Sequence, residues 1–237
     1  MNDSGKKVLW AVILIIILGG LSFIFSDRTA QPEVLDDEAT LGAENQMSFF
    51  VTSKNPGVGA NFGGLSGADQ YCQTLASDVG AGEKNWRAYL SAVATETEGA
   101  VNARDRIGAG PWYNAKNVLV ANNVEELHAT NTISKETALD EKGQMINGRG
   151  DTPNLHDILT GSLPDGTASA EEGDTTCRNW TSDGEGTALV GHHDRMGLDN
   201  GEAAKSWNSS HPSRGCSLEN LASSGGGGLL YCFAVTE

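Results

Sequence analysis

Four cysteines, Cys72, Cys177, Cys216 and Cys232, limit what this chain can fold into more than any other feature. All lie beyond an N-terminal apolar segment. No two are spaced as Cys-x-x-Cys, which argues against a zinc ribbon or a thioredoxin-type redox pair. An even number in an exported chain reads as a disulfide framework, and four thiols allow three pairings. Their surroundings differ in kind. Cys72 falls in a helical apolar stripe with Ala68, Leu75, Ala76 and Val79, and Cys232 in the apolar run Leu229–Val235. Cys177 and Cys216 lie in a polar region rich in Gly, Asp, Ser and Thr. Like environments should pair, giving Cys72–Cys232 and Cys177–Cys216. The outer bridge closes a very long loop, worth roughly 4–5 kcal/mol by chain entropy. The inner one braces a region with little core of its own.

Export is read from the first residues. Lys6 and Lys7 precede an unbroken apolar run from Val8 to Phe25. As a helix it would rise about 27 Å, close to the hydrocarbon thickness of a bilayer. The run exceeds the usual signal-peptide core and is followed by no convincing small-x-small cleavage site. Residues 1–26 are therefore expected to be a single-pass signal anchor with a cytoplasmic N-terminus, the alternative being secretion after cleavage. Residues 27–46, polar and acidic, read as a linker, and residues 47–237 as the exported domain.

Within that domain the sequence predicts a first strand near Met47–Thr52 and a helix opening near Ser66, with Asp69 as its capping partner. It predicts a half-buried strand around Trp86–Leu90, a short helix at Val124–His128 and a closing strand over Leu229–Val235. Between Ile133 and Gly228 regular structure should be sparse. The expected class is α+β: a small twisted antiparallel sheet, about two helices and a long disulfide-braced loop region. A net charge of −15 opposes a phosphate backbone, so nucleic acid is not an expected partner.

The arrangement resembles the C-type-lectin-like fold, and more closely endostatin, the C-terminal domain of certain collagens, and bacterial exported domains of that type. The resemblance rests on Gly63–Asp69 followed by Cys72, on Trp86–Ser91, and on Leu159–Ser162 with Asp165–Gly166. Cys177–Thr181, Ser206–Trp207, Gly215–Cys216 and Leu230–Phe233 complete it. It implies a helix tied by one disulfide to the last strand and a second disulfide across the loops. The Glu-Pro-Asn or Gln-Pro-Asp and Trp-Asn-Asp tripeptides of calcium-dependent sugar-binding lectins are absent, Trp207-Asn208-Ser209 being the nearest approach. Endostatin binds zinc through histidines near its N-terminus, but the matching stretch here, around Gln46–Thr52, has none. Its heparin binding does not transfer to so acidic a domain.

Candidate site residues are few. His192, His193, Asp194 and His211 have zinc-ligand chemistry, although adjacent histidines project differently and rarely share one ion. Glu171, Glu172 and Asp174 could help hold calcium with loop carbonyls. Trp180 and Trp207 are either stacking platforms for a ligand or packing around the inner disulfide. The reading is a membrane-anchored, extracytoplasmic, non-catalytic binding module for an extracellular protein, glycan or matrix ligand. Its alternatives are a metal-dependent enzyme acting through the loop His/Asp residues and a purely structural envelope protein.

Overall fold

The structure, a computed structural model, describes residues 46–170 and 173–235. The expected N-terminal anchor, nearly all of the linker, and Glu171 and Glu172 lie outside the described residues. Among the described residues no helix is long and apolar enough to cross a membrane.

The elements follow in the order β1 (Phe49–Val51), α1 (Gly64–Asp78), β2 (Asn85–Ala88), β3 (Trp112–Tyr113), β4 (Leu119–Ala121), α2 (Val124–Leu127) and β5 (Asp157–Leu159). Then come α3 (Cys177–Trp180), β6 (Leu189–His192), β7 (His211–Pro212), α4 (Leu218–Ser224) and β8 (Gly226–Val235). The domain is α+β, as its patterns imply. The sheet order is β1-β8-β5-β6-β7, with β2 also on β8, while β3 and β4 form a separate ribbon. Two expectations are corrected. The sheet is mixed, because β5 runs parallel to β8. Among the described residues four α-helical segments are present rather than about two, three of them a turn or two long.

β8 organises the core. β1 and β2 both pair antiparallel with its residues around Cys232 and Phe233, so they occupy opposite edges. Leu230, Cys232 and Ala234 pack into one apolar cluster with α1, Phe50, Trp86 and Leu159. Leu229, Tyr231 and Phe233 pack into a second with Phe49, Tyr89, Trp112, Ile158 and Trp207. A strand covered on both faces has no need of polar alternation, which is why Leu229–Val235 reads as one apolar run.

The stripe seen in sequence is the buried face of α1: Ala68, Cys72, Leu75 and Ala76. The helix starts earlier than its expected Ser66 cap. Its N-cap is Gly63, in the left-handed region at φ 78°. Asp69 has a different task. Its Oδ1 accepts from Ala88 N at 2.9 Å, and its two oxygens take Arg106 Nη2 at 2.8 and 2.7 Å, fastening α1 to β2.

Both disulfides form as the cysteine environments imply. Cys72 joins Cys232 with Cα atoms 5.6 Å apart, and Cys177 joins Cys216 at 5.7 Å. The inner one anchors an unusual segment. Cys177, Arg178, Asn179 and Trp180 all have φ between 48° and 67°, so α3 is a left-handed turn. L-residues adopt this backbone at a cost of roughly 1–2 kcal/mol each. The local bonding is dense enough to hold it. Asp174 Oδ1 accepts from Thr176 N and Arg178 N at 3.0 Å. Asn179 imitates a strand neighbour, accepting from Val93 N at 2.9 Å and donating to Val93 O at 3.0 Å. Trp180 Nε1 donates to Ser91 O at 2.7 Å from a fully buried ring.

Candidate functional site

The most unusual chemistry lies at one end of the sheet, where β5, β6 and β7 meet. Asp157 and His192 are direct partners in the antiparallel β5–β6 register, so their side chains leave the sheet on the same face. His211 lies opposite Val190, two residues from His192, and joins that face from β7. His156 precedes Asp157 and would ordinarily point the other way. The pairing of β5 with β8 shifts register between Asp157 and Ile158, and an irregularity of this kind re-aims side chains.

Three imidazoles consequently converge on one oxygen. Asp157 Oδ1 lies 3.1 Å from His156 Nε2, 3.2 Å from His192 Nε2 and 3.6 Å from His211 Nε2. The His156 and His192 rings stack with centroids 4.2 Å apart, and His211 meets His192 edge-on at 5.0 Å. His156, Asp157 and His192 are buried, while the His211 side chain is 38% exposed and faces solvent.

The far sides of the rings are equally defined. His192 Nδ1 donates to Ala204 O at 2.8 Å and His211 Nδ1 to Pro212 O at 3.1 Å, since a carbonyl can only accept. His156 Nδ1 lies 3.4 Å from Asp194 Oδ1. Asp194 also accepts from Arg149 N at 2.6 Å and Met196 N at 3.1 Å. Burial opposes the Asp194 charge, but His156 and these two amides hold its carboxyl far below the usual range. Burial likewise raises the pKa of Asp157, and the imidazoles around it outweigh that, leaving it below its ordinary value. His211 is shifted up, first by its contact with Asp157.

Glycine backbone makes room for the cluster. A Cβ on Gly225 would lie 2.9 Å from His156 Nε2, and one on Gly226 would lie 2.9 Å from Asp157 Cβ. Donors of these types at these separations, His156, Asp157 and His192, are close enough to share one metal ion, with His211 beside them.

The expected metal ligands thus divide. His192 and His211 come together. Asp194 does not face the cluster centre and instead positions His156. His193 turns away: its Nε2 lies 3.2 Å from Asn147 O, and burial lowers its pKa. β6 ends at His192 and His193 begins the turn that follows, so only one of this histidine pair takes part. The expected acidic calcium site is not assembled by Asp174, whose oxygens serve the α3 turn. Trp180 is fully buried, and Trp207, nearly so, lies in the wall of a polar cleft beside the cluster. Trp207 packs on Tyr89 and Tyr231.

Beside the cluster a polar cleft of about 860 Å³ opens between His128, Asn131, Arg195, Glu202, Lys205 and Asn208. Its wall is pinned by Arg195, which donates to Ile133 O, Lys205 O and Asn131 Oδ1. No family model matches this chain, and no curated protein matches it.

Proposed function

We propose that the chain is an extracytoplasmic, membrane-anchored recognition module of the C-type-lectin-like, endostatin-related kind, and that it binds an extracellular protein or glycan through its loops. The observation that carries this reading is the bracing of the loops. The inner disulfide, the α3 turn and the Arg195 bonds fix segments that have little regular structure. Rigid loops on a covalently stapled frame bind with little ordering cost. The polar cleft is the surface we assign to the ligand. Its mixed charges, Arg195, Glu202 and Lys205, fit a hydroxyl- or peptide-rich partner better than an apolar one.

The test is binding of the full chain to glycan and peptide arrays, repeated with Lys205→Glu and Glu202→Lys. Specific binding weakened by either substitution at unchanged melting temperature supports the reading. Binding indifferent to both, or none on either array, contradicts it.

A further inference from the structure

We infer that His156, His192 and Asp157, with His211 closing the solvent side, form a binding site for one divalent transition metal of the zinc class. The inference does not depend on the recognition function and would stand without it.

The first argument is the direction of the lone pairs. Each of the three rings has its Nδ1 turned to an acceptor: Asp194 Oδ1, Ala204 O and Pro212 O. In a neutral ring the proton then sits on Nδ1, and Nε2 presents its lone pair. With neutral rings, all three Nε2 lone pairs would then crowd the Asp157 carboxylate, an arrangement that only protons on the imidazoles or a cation among them relieves. A cation between them turns that repulsion into attraction.

The second argument is the pattern of contact without bonding. The Nε2–Oδ1 separations are short, yet both Asp157 oxygens and His192 Nε2 are buried with no hydrogen-bond partner. Buried polar atoms are rarely left so. Groups this close and yet unbonded leave their polar atoms available to a shared third partner.

The third argument is size. With metal–donor bonds of about 2.0–2.1 Å, neighbouring donors on a tetrahedron lie about 3.3 Å apart. The three edges meeting at Asp157 Oδ1 measure 3.1, 3.2 and 3.6 Å. Three nitrogens with one carboxylate select zinc-class ions over calcium or magnesium, which take oxygen. His156, Asp157 and His192 supply three donors as they stand, and His211, 3.6 Å from Asp157 Oδ1 on the solvent side, would complete a four-coordinate shell by moving in, as in sites that hold structure. The ion would cross-link β5, β6 and β7 and hold the loop that carries Ala204, which borders the cleft.

The site is not the one the family resemblance implies, whose histidines would fall near residues 46–52. Two of its members, His156 and Asp157, carry only a weak signal in sequence, a ligand-type pair ahead of the apolar Ile158-Leu159.

The experiment is metal analysis and zinc-edge X-ray absorption on the full chain, stripped with chelator and reloaded with zinc, with cobalt(II) as an optical probe. The expected result is one zinc per chain, a shell of three imidazoles and one carboxylate oxygen, and the visible bands of four-coordinate cobalt. His192→Ala and Asp157→Asn should abolish stoichiometric loading. His211→Ala, at the exposed position, should weaken it by at least tenfold in a chain that keeps both disulfides and its circular dichroism. Asp194→Asn, acting only through His156, should weaken it by about tenfold. Failure of the native chain to take up stoichiometric zinc or cobalt overturns the inference. So does a bound ion whose absorption spectrum lacks histidine scattering, or an affinity unchanged in His211→Ala. None of these outcomes touches the array-binding test of the recognition reading.

Discussion

Replacing Arg178 by glycine should stabilise this protein, the reverse of what glycine does in most ordered backbone. Arg178 sits inside α3 at φ 55°, ψ 51°. Its side chain is exposed, and the bonds it makes come from the backbone: its N–H donates to Asp174 and its carbonyl accepts from Thr181 Oγ1. Glycine keeps both. A non-glycine residue in this region costs roughly 1–2 kcal/mol, which glycine escapes. Glycine's extra freedom in the unfolded chain returns about 0.5–1 kcal/mol of that. The net gain is about 0.5–1 kcal/mol, or about 1–4 °C in melting temperature for a domain of this size. Gln70→Gly is the control. Gln70 is exposed in the middle of α1, where glycine should cost about 0.5–1 kcal/mol. Urea unfolding followed by tryptophan fluorescence, without reductant, measures both. If Arg178→Gly destabilises as much as Gln70→Gly, the turn is not left-handed and the account of α3 is wrong.

Two further outcomes are expected. Replacing Cys72 and Cys232 by alanine removes a cross-link spanning 160 residues and should cost about 5 kcal/mol, while Cys177 with Cys216, spanning 39, should cost about 4 kcal/mol, both read by equilibrium unfolding. Stability should also fall as pH drops below about 6.5, in part through His128. Burial lowers its pKa, and its ring is committed as neutral, Nδ1 to Val124 O and Nε2 to the Tyr89 hydroxyl at 2.7 Å each. A depressed folded pKa means the unfolded chain takes up the proton first. The His128 contribution is therefore complete above the unfolded value and lost as pH falls toward the folded one. His128→Gln should flatten the dependence of melting temperature on pH below about 6.5, and an unchanged slope would assign the effect to other groups.

Where the fold was legible in sequence, periodicity carried it. The spacing of Ala68, Cys72, Leu75 and Ala76 reads as one helical face, and the apolar run Leu229–Val235 as a central strand. Their like apolar surroundings are what suggest that Cys72 pairs with Cys232. The mixed sheet was not legible. β5 is three residues long, and its parallel register with β8 is a long-range pairing that no local pattern encodes. The cluster was half legible for the same reason. His192 and His211 had the right chemistry, but Asp157 reaches them only through the β5–β6 register. A His-Asp pair ahead of Ile158-Leu159 was the available signal: two ligand-type residues at the edge of a short apolar run. α3 carries no glycine to announce positive φ. Its handedness comes from the disulfide, the Asn179–Val93 pairing and the burial of Trp180, all of them tertiary.

The frame on which all of this hangs is the pair of covalent bridges, and peptide mapping of the unreduced, alkylated full chain tests it most directly. The account predicts that the fragment bearing Cys72 is recovered joined to the one bearing Cys232, and that bearing Cys177 to that bearing Cys216, with no alkylated thiol. Recovery of Cys72 joined to Cys177 or Cys216, or of four alkylated cysteines from folded protein, would contradict it.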